Sequence, residues 1–104
     1  MTQRSSNVGK PFKFKGIGHG VIIREARVDY ETWSPVLQIL RFTDDEHKGD
    51  IQFRFGYCDY KGTLIARPLY LDESQLADLG KAAAKEPEIR KMLKNLCDRL
   101  GNLT

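Results

Sequence analysis

Residues 51–60 read IQFRFGYCDY, with Ile51, Phe53, Phe55 and Tyr57 alternating against Gln52, Arg54, Gly56 and Cys58. A two-residue period is that of a β-strand. Three aromatics on one face carry more buriable surface than any other strand-length stretch of the chain. They predict a central strand of an antiparallel sheet, with Phe53, Phe55 and Tyr57 turned to the core and Arg54 on the opposite side.

Outward from this strand, the preceding stretch 36–43, VLQILRFT, is apolar on both faces in its middle, which suits an interior strand. The intervening DDEHKGD, residues 44–50, predicts a hydrated hairpin tip. Its carboxylates lack the alternate spacing, sixth-position glycine and distal glutamate of a calcium loop. On the other side Gly62 supplies the turn to a returning strand over 63–71, TLIARPLYL, in which Pro68 leaves one side unpaired. A three-residue loop would place Ile65, Arg67 and Leu69 on the aromatic face, with Leu64, Ala66 and Tyr70 on the face of Arg54.

Further upstream, residues 21–30 predict a half-exposed strand and residues 11–15, PFKFK, a short edge strand. GIGHG, residues 16–20, predicts a bend where backbones come close; it lacks the spacing of a phosphate loop, and β-branched residues follow it instead of a helix. Residues 31–35, ETWSP, predict a connection from which Trp33 folds onto the core. Downstream, Asp72 and Gln75 form a capping-box pattern for a helix running to about Lys85 that buries Leu76, Leu79 and Ala83. Pro87 suits the first turn of a second helix, whose apolar stripe is Ile89, Met92, Leu93, Leu96 and Leu100 and whose stop is Gly101. The predicted fold is therefore α+β: a four- to five-stranded antiparallel sheet (meander) followed by two C-terminal helices packed on one face. Residues 1–10 are expected to form a flexible, loosely attached basic arm and residues 11–104 a single α+β domain.

A chain of 104 residues fits one domain that buries roughly two-thirds of its unfolded surface. A hydrophobic content of 40% against 30% charged residues excludes wholesale disorder. No apolar run approaches a membrane span and the first residues lack the pattern of a secretory signal, so a cytoplasmic location is expected. Cys58 and Cys97 have no partner at metal or redox spacing and predict buried, inert thiols. The net charge is +3. It is unevenly spread, because Arg4, Lys10, Lys13, Lys15, Arg24 and Arg27 face only Glu25 before residue 28, while the middle of the chain is acidic. A basic arm favours an anionic partner.

No nucleophile with its base, no carboxylate pair with separated roles and no metal-ligand set is legible, so the expectation is a binding domain and not an enzyme, with no cofactor, metal or small-molecule substrate. Residues 53–82, FRFGYCDYKGTLIARPLYLDESQLADLGKA, run strand, tight turn, strand and capped helix. In this order, sharpest at LYLDESQL, the chain resembles the transcriptional positive-cofactor family and the related Whirly-type single-stranded nucleic-acid binders. The resemblance implies a sheet face that holds unpaired bases with basic and aromatic side chains, and pairing of two copies into a homodimer through the helices. The counterparts by position are Arg54, Lys61, Arg67 and Tyr70, with Lys13 and Lys15 on the arm. The chain differs from that pattern in its acidic middle hairpin, the lack of a lysine-rich strand and the extra helix after Pro87. The functional expectation is single-stranded nucleic-acid binding, with a protein-interaction or assembly module as the alternative.

Overall fold

The computed structural model describes residues 6–65, 67 and 69–101. Five strands, β1 (Pro11–Phe14), β2 (Gly18–Arg27), β3 (Trp33–Phe42), β4 (Ile51–Asp59) and β5 (Leu64–Ile65), precede two helices, α1 (Glu73–Ala84) and α2 (Pro87–Gly101). Each strand pairs antiparallel with the next in sequence, so the sheet order is β1-β2-β3-β4-β5. The sheet curls into a half-barrel, and both helices pack on one of its faces, over β2 and β3. The α+β meander is as the hydrophobic periods dictate.

The two faces of β3 follow from its lack of polar alternation. Leu37 and Ile39 look toward the helices and join Ala26, Leu79, Ala83 and Ile89 in one buried cluster. Leu40 and Phe42 look the other way and join Phe12 and Ile22 in a second cluster on the concave side. Burial runs without a break from Ser34 to Leu40, which makes β3 the central strand. The expectation that β4 is central is corrected on this point. β4 lies one place from the edge, because β5 alone follows it in the sheet order, and β5 itself spans Leu64–Ile65. Ala66 and Pro68, on which part of that expectation fell, lie outside the described residues.

Four further expectations are corrected by the packing. Phe53 packs against the helix-side cluster, but Phe55 is 58% exposed, since the helices cover β2 and β3 and leave the outer part of β4 bare. For the same reason the stripe of α2 is buried only in its first half. Ile89 is fully buried and Met92 and Leu93 are half-buried, whereas Leu96 and Leu100 are exposed. Leu76 of α1 also faces solvent. Trp33 opens β3 in place of lying in a connection; its ring sits 5.3 Å from Tyr30 and meets Tyr57 edge-on at 6.0 Å. Just before β1, Gly9 N–H donates to the Ile22 carbonyl, Ile22 N–H donates to the Lys10 carbonyl, and Asn7 is buried. The first five residues lie outside the described set.

The capping box at α1 forms as its residues predict. Asp72 Oδ1 accepts from Gln75 N–H at 2.8 Å and Gln75 Oε1 accepts from Asp72 N–H at 2.9 Å. The hairpin tip after β3 is closed by its own acid: Asp44 accepts from His47 Nδ1 at 2.8 Å and from the His19 backbone N–H at 3.2 Å, tying the tip to the glycine-rich start of β2. Among the described residues no cluster of His, Cys, Asp and Glu could hold a metal ion, and no helix is long and apolar enough to cross a membrane.

Candidate functional site

Directly opposed residues of neighbouring strands share a face. On the concave face this rule stacks Glu25, Gln38 and Arg54 in one row across β2, β3 and β4. Arg54 donates from Nε and Nη2 to Gln38 Oε1 at 2.9 and 2.7 Å, and Gln38 Nε2 donates to Glu25 Oε2 at 2.7 Å. Asn7 Nδ2 donates to the same Glu25 oxygen at 2.8 Å, and Lys10 Nζ donates to Asn7 Oδ1 at 3.0 Å. Arg27 completes the charge balance, 3.4 Å from Glu25 and 2.9 Å from Asp29. Every buried side-chain nitrogen and oxygen among the described residues has a partner. A satisfied chain of this kind fixes its members rigidly.

The consequence falls on Arg54. Its guanidinium carbon lies 6.0 Å from the centre of the Phe12 ring and 5.9 Å from that of Phe14, within cation–π range. Burial pulls its pKa below the ordinary guanidinium value, with Cys58 and Glu25 acting in the opposite direction. Arginine nonetheless keeps its charge at neutral pH. Burial likewise raises the Cys58 thiol, helped by Glu25, so Cys58 is protonated and inert.

Because the sheet is curled, β1 and the β4–β5 turn face each other across an open cleft of about 410 Å³. Lys10 and Lys13 stand on one bank, Lys61 on the other and Arg54 on the floor, with Phe12 between them; among the described residues no carboxylate lines it. A second cavity of about 430 Å³ shares Arg54 and Leu64 with the first and extends to Phe14 and Arg67. Of the six residues singled out in the sequence, the fold therefore brings Lys13, Arg54 and Lys61 together and places Arg67 next to them. Lys15 lies exposed just past β1, and Tyr70, 80% exposed, lies past β5; neither lines the cleft. Reasoning from sequence missed Lys10, Asn7, Glu25 and Gln38. The signal for one of them was present: Gln38 is a polar residue in the middle of VLQILRF, where a strand apolar on both faces tolerates it only with a buried partner.

The fold and site define a small α+β domain with a basic, aromatic-floored groove on the open face of a half-barrel. Comparison with family models, with curated proteins and with solved structures finds no match.

Proposed function

We propose that the protein is a single-stranded nucleic-acid-binding domain whose site is the concave cleft. The observation that carries this reading is the convergence of Lys10, Lys13, Arg54 and Lys61, from three separate parts of the chain, on one groove that no carboxylate of the described residues lines. Cations arrayed along a groove track a phosphate backbone, and aromatic faces beside them take unstacked bases. Phe12 is 6% exposed, so it belongs to the floor; the aromatic surface offered to bases is that of half-buried Phe14 in the adjoining cavity and of Tyr60, which lies outside both cavities, 61% exposed, with Lys61 Nζ 5.6 Å from its ring. Arg54, held from behind by Gln38, presents a pre-oriented guanidinium to phosphate or base. No catalytic step is assigned to the site.

Fluorescence titration with short single-stranded oligonucleotides tests the reading. Binding in the micromolar range that weakens steeply with salt is expected, and no salt-sensitive binding below the tens-of-micromolar range overturns it. A second reading, a protein-interaction or assembly module such as a homodimer formed through the helices, is favoured by the exposed Leu96 and Leu100 at the end of α2. It uses the helix-side face and does not compete with the first.

A further inference from the structure

Only part of the Arg54 guanidinium is occupied. The planar group presents parallel N–H donors on its side edge, formed by Nε and Nη2, and on its end edge, formed by Nη2 and Nη1. Gln38 Oε1 accepts from Nε and Nη2 and so takes the side edge. The end edge keeps the second N–H of Nη2 and both of Nη1, for which the described residues supply no acceptor. Every buried side-chain nitrogen among the described residues has a partner, so Nη1 reaches open space, in the two cavities that Arg54 lines. The bond to Gln38 and the neighbouring rings of Phe12 and Phe14 fix the plane of this edge.

The side-chain acceptors behind Arg54 are all engaged. Gln38 Oε1 accepts twice from Arg54, and Glu25 Oε2 accepts from Gln38 and from Asn7 Nδ2. Glu25 Oε1 accepts from the Asn7 backbone N–H and from Arg27, and Asn7 Oδ1 accepts from Lys10. A ligand at this end of the floor therefore meets donors from Arg54 and no side-chain acceptor from the row behind it. Nor does this corner call for an anion, because Arg27 and Arg54 are matched by Glu25 and Asp29. The lysines are the groups placed for phosphates, with Lys13 and Lys61 exposed at the rim.

We propose that Arg54 is the specificity-determining residue of the cleft and selects guanine, its end edge donating in parallel to N7 and O6 of the base. The inference rests on the reading of the cleft as a single-strand site and adds which base that site prefers. Guanine carries two adjacent acceptors on the edge away from its sugar, the pair an arginine end edge matches. Adenine sets an amino group beside N7, so one Arg54 N–H would face another donor, and that amino group would find no open side-chain acceptor in the row behind. The acceptors of thymine stand on either side of an N–H, and those of cytosine, O2 and N3, are crowded by its own sugar. Phosphate contacts position a strand and base contacts specify it, which divides the labour between the lysines and Arg54.

The test titrates the full chain, by fluorescence, with short thymidine strands that differ in one central base. The guanine strand is expected to bind about 5- to 150-fold more tightly than the adenine strand, the range that one bidentate base contact supplies. Hypoxanthine, which keeps N7 and O6, should bind as guanine does, and 7-deazaguanine, which has C–H in place of N7, should lose most of the advantage. These analogues are read with the unaltered protein, so the outcome does not depend on a variant that folds. Arg54→Lys keeps the charge and removes the planar pair of donors, and is expected to abolish the difference between guanine and adenine. Lys61→Gln, at an exposed position, should weaken every strand alike and leave the preference standing. Equal binding of the guanine and adenine strands, a preference that 7-deazaguanine retains in full, or one that folded Arg54→Lys protein retains overturns the proposal and leaves the nucleic-acid reading in place. Absence of salt-sensitive binding by every strand overturns both.

Discussion

Gly20 shows how a single missing side chain shapes the concave face. It pairs with Phe12 on one side and Phe42 on the other, and a Cβ placed on it would strike the carbonyl oxygen of Arg41. The obstacle is backbone, which cannot rotate aside. Gly20→Ala should therefore destabilise the fold by about 3 kcal/mol, read as a lowered denaturant midpoint at unchanged slope. Gln38 is the other residue on which the face turns, because it holds Arg54 with its oxygen and Glu25 with its nitrogen. Gln38→Leu keeps the volume and strips both partners, so two charged groups lose hydrogen bonds inside the sheet. A loss of about 1–3 kcal/mol is expected, and the freed guanidinium should weaken oligonucleotide binding even in molecules that remain folded. Unchanged affinity together with unchanged stability would show that Gln38 positions nothing.

At the scale of elements, α2 is divided in function along its length. Ile89 is fully buried against the sheet, and Leu96, two turns on, is 52% exposed. Ile89→Ala should cost about 2–5 kcal/mol and Leu96→Ala less than about 0.5 kcal/mol in chemical denaturation. From the sequence alone these two leucine-like positions are equivalent, since a 3.6-residue period tells which face is apolar but not how far the partner surface extends. The same limit explains Phe55: alternation assigned its face correctly, and only the placement of the helices over β2 and β3 leaves it bare. The strand and helix order and the capping box were legible because they depend on local spacing. The cleft was not, because Lys10 and Lys61 meet only through the curl of the sheet. The hairpin tip carries a pH signature of its own. The hydrogen bond to Asp44 raises the His47 pKa above its ordinary 6.5, outweighing burial. A raised folded pKa contributes stability that is complete below the unfolded value and lost as pH rises through the folded one. The thermal midpoint should accordingly fall as pH rises from 6 to 8, by a small amount that His47→Gln abolishes. Burial works to raise Asp44, but its bonds from His47 and His19 lower it on balance from 3.8, so its contribution is present above that value and is lost in stronger acid.

For the whole molecule the decisive quantity is where the positive charge sits, because a net charge of +3 is too small to bind nucleic acid without local concentration. Four cations line the cleft, and each phosphate neutralised on a single strand contributes about 0.7 to the slope of log affinity against log salt. Full engagement predicts a slope of about −3. Lys13 and Lys61 are exposed and stand on opposite banks, so the double change Lys13→Gln, Lys61→Gln should leave stability within about 0.5 kcal/mol of the parent. The same double variant should reduce the slope by about 1.4 and weaken binding at low salt far more than at high salt. Lys15→Gln is the matched control. It removes the same charge from the same end of β1 but outside the cleft, and should change neither slope nor affinity beyond what a diffuse field supplies. Duplex of the same length should bind more weakly than single strand, since paired bases cannot turn toward Phe14 and Tyr60. If Lys15→Gln reduces the slope as much as either cleft lysine does, binding follows overall charge and the groove is not the site.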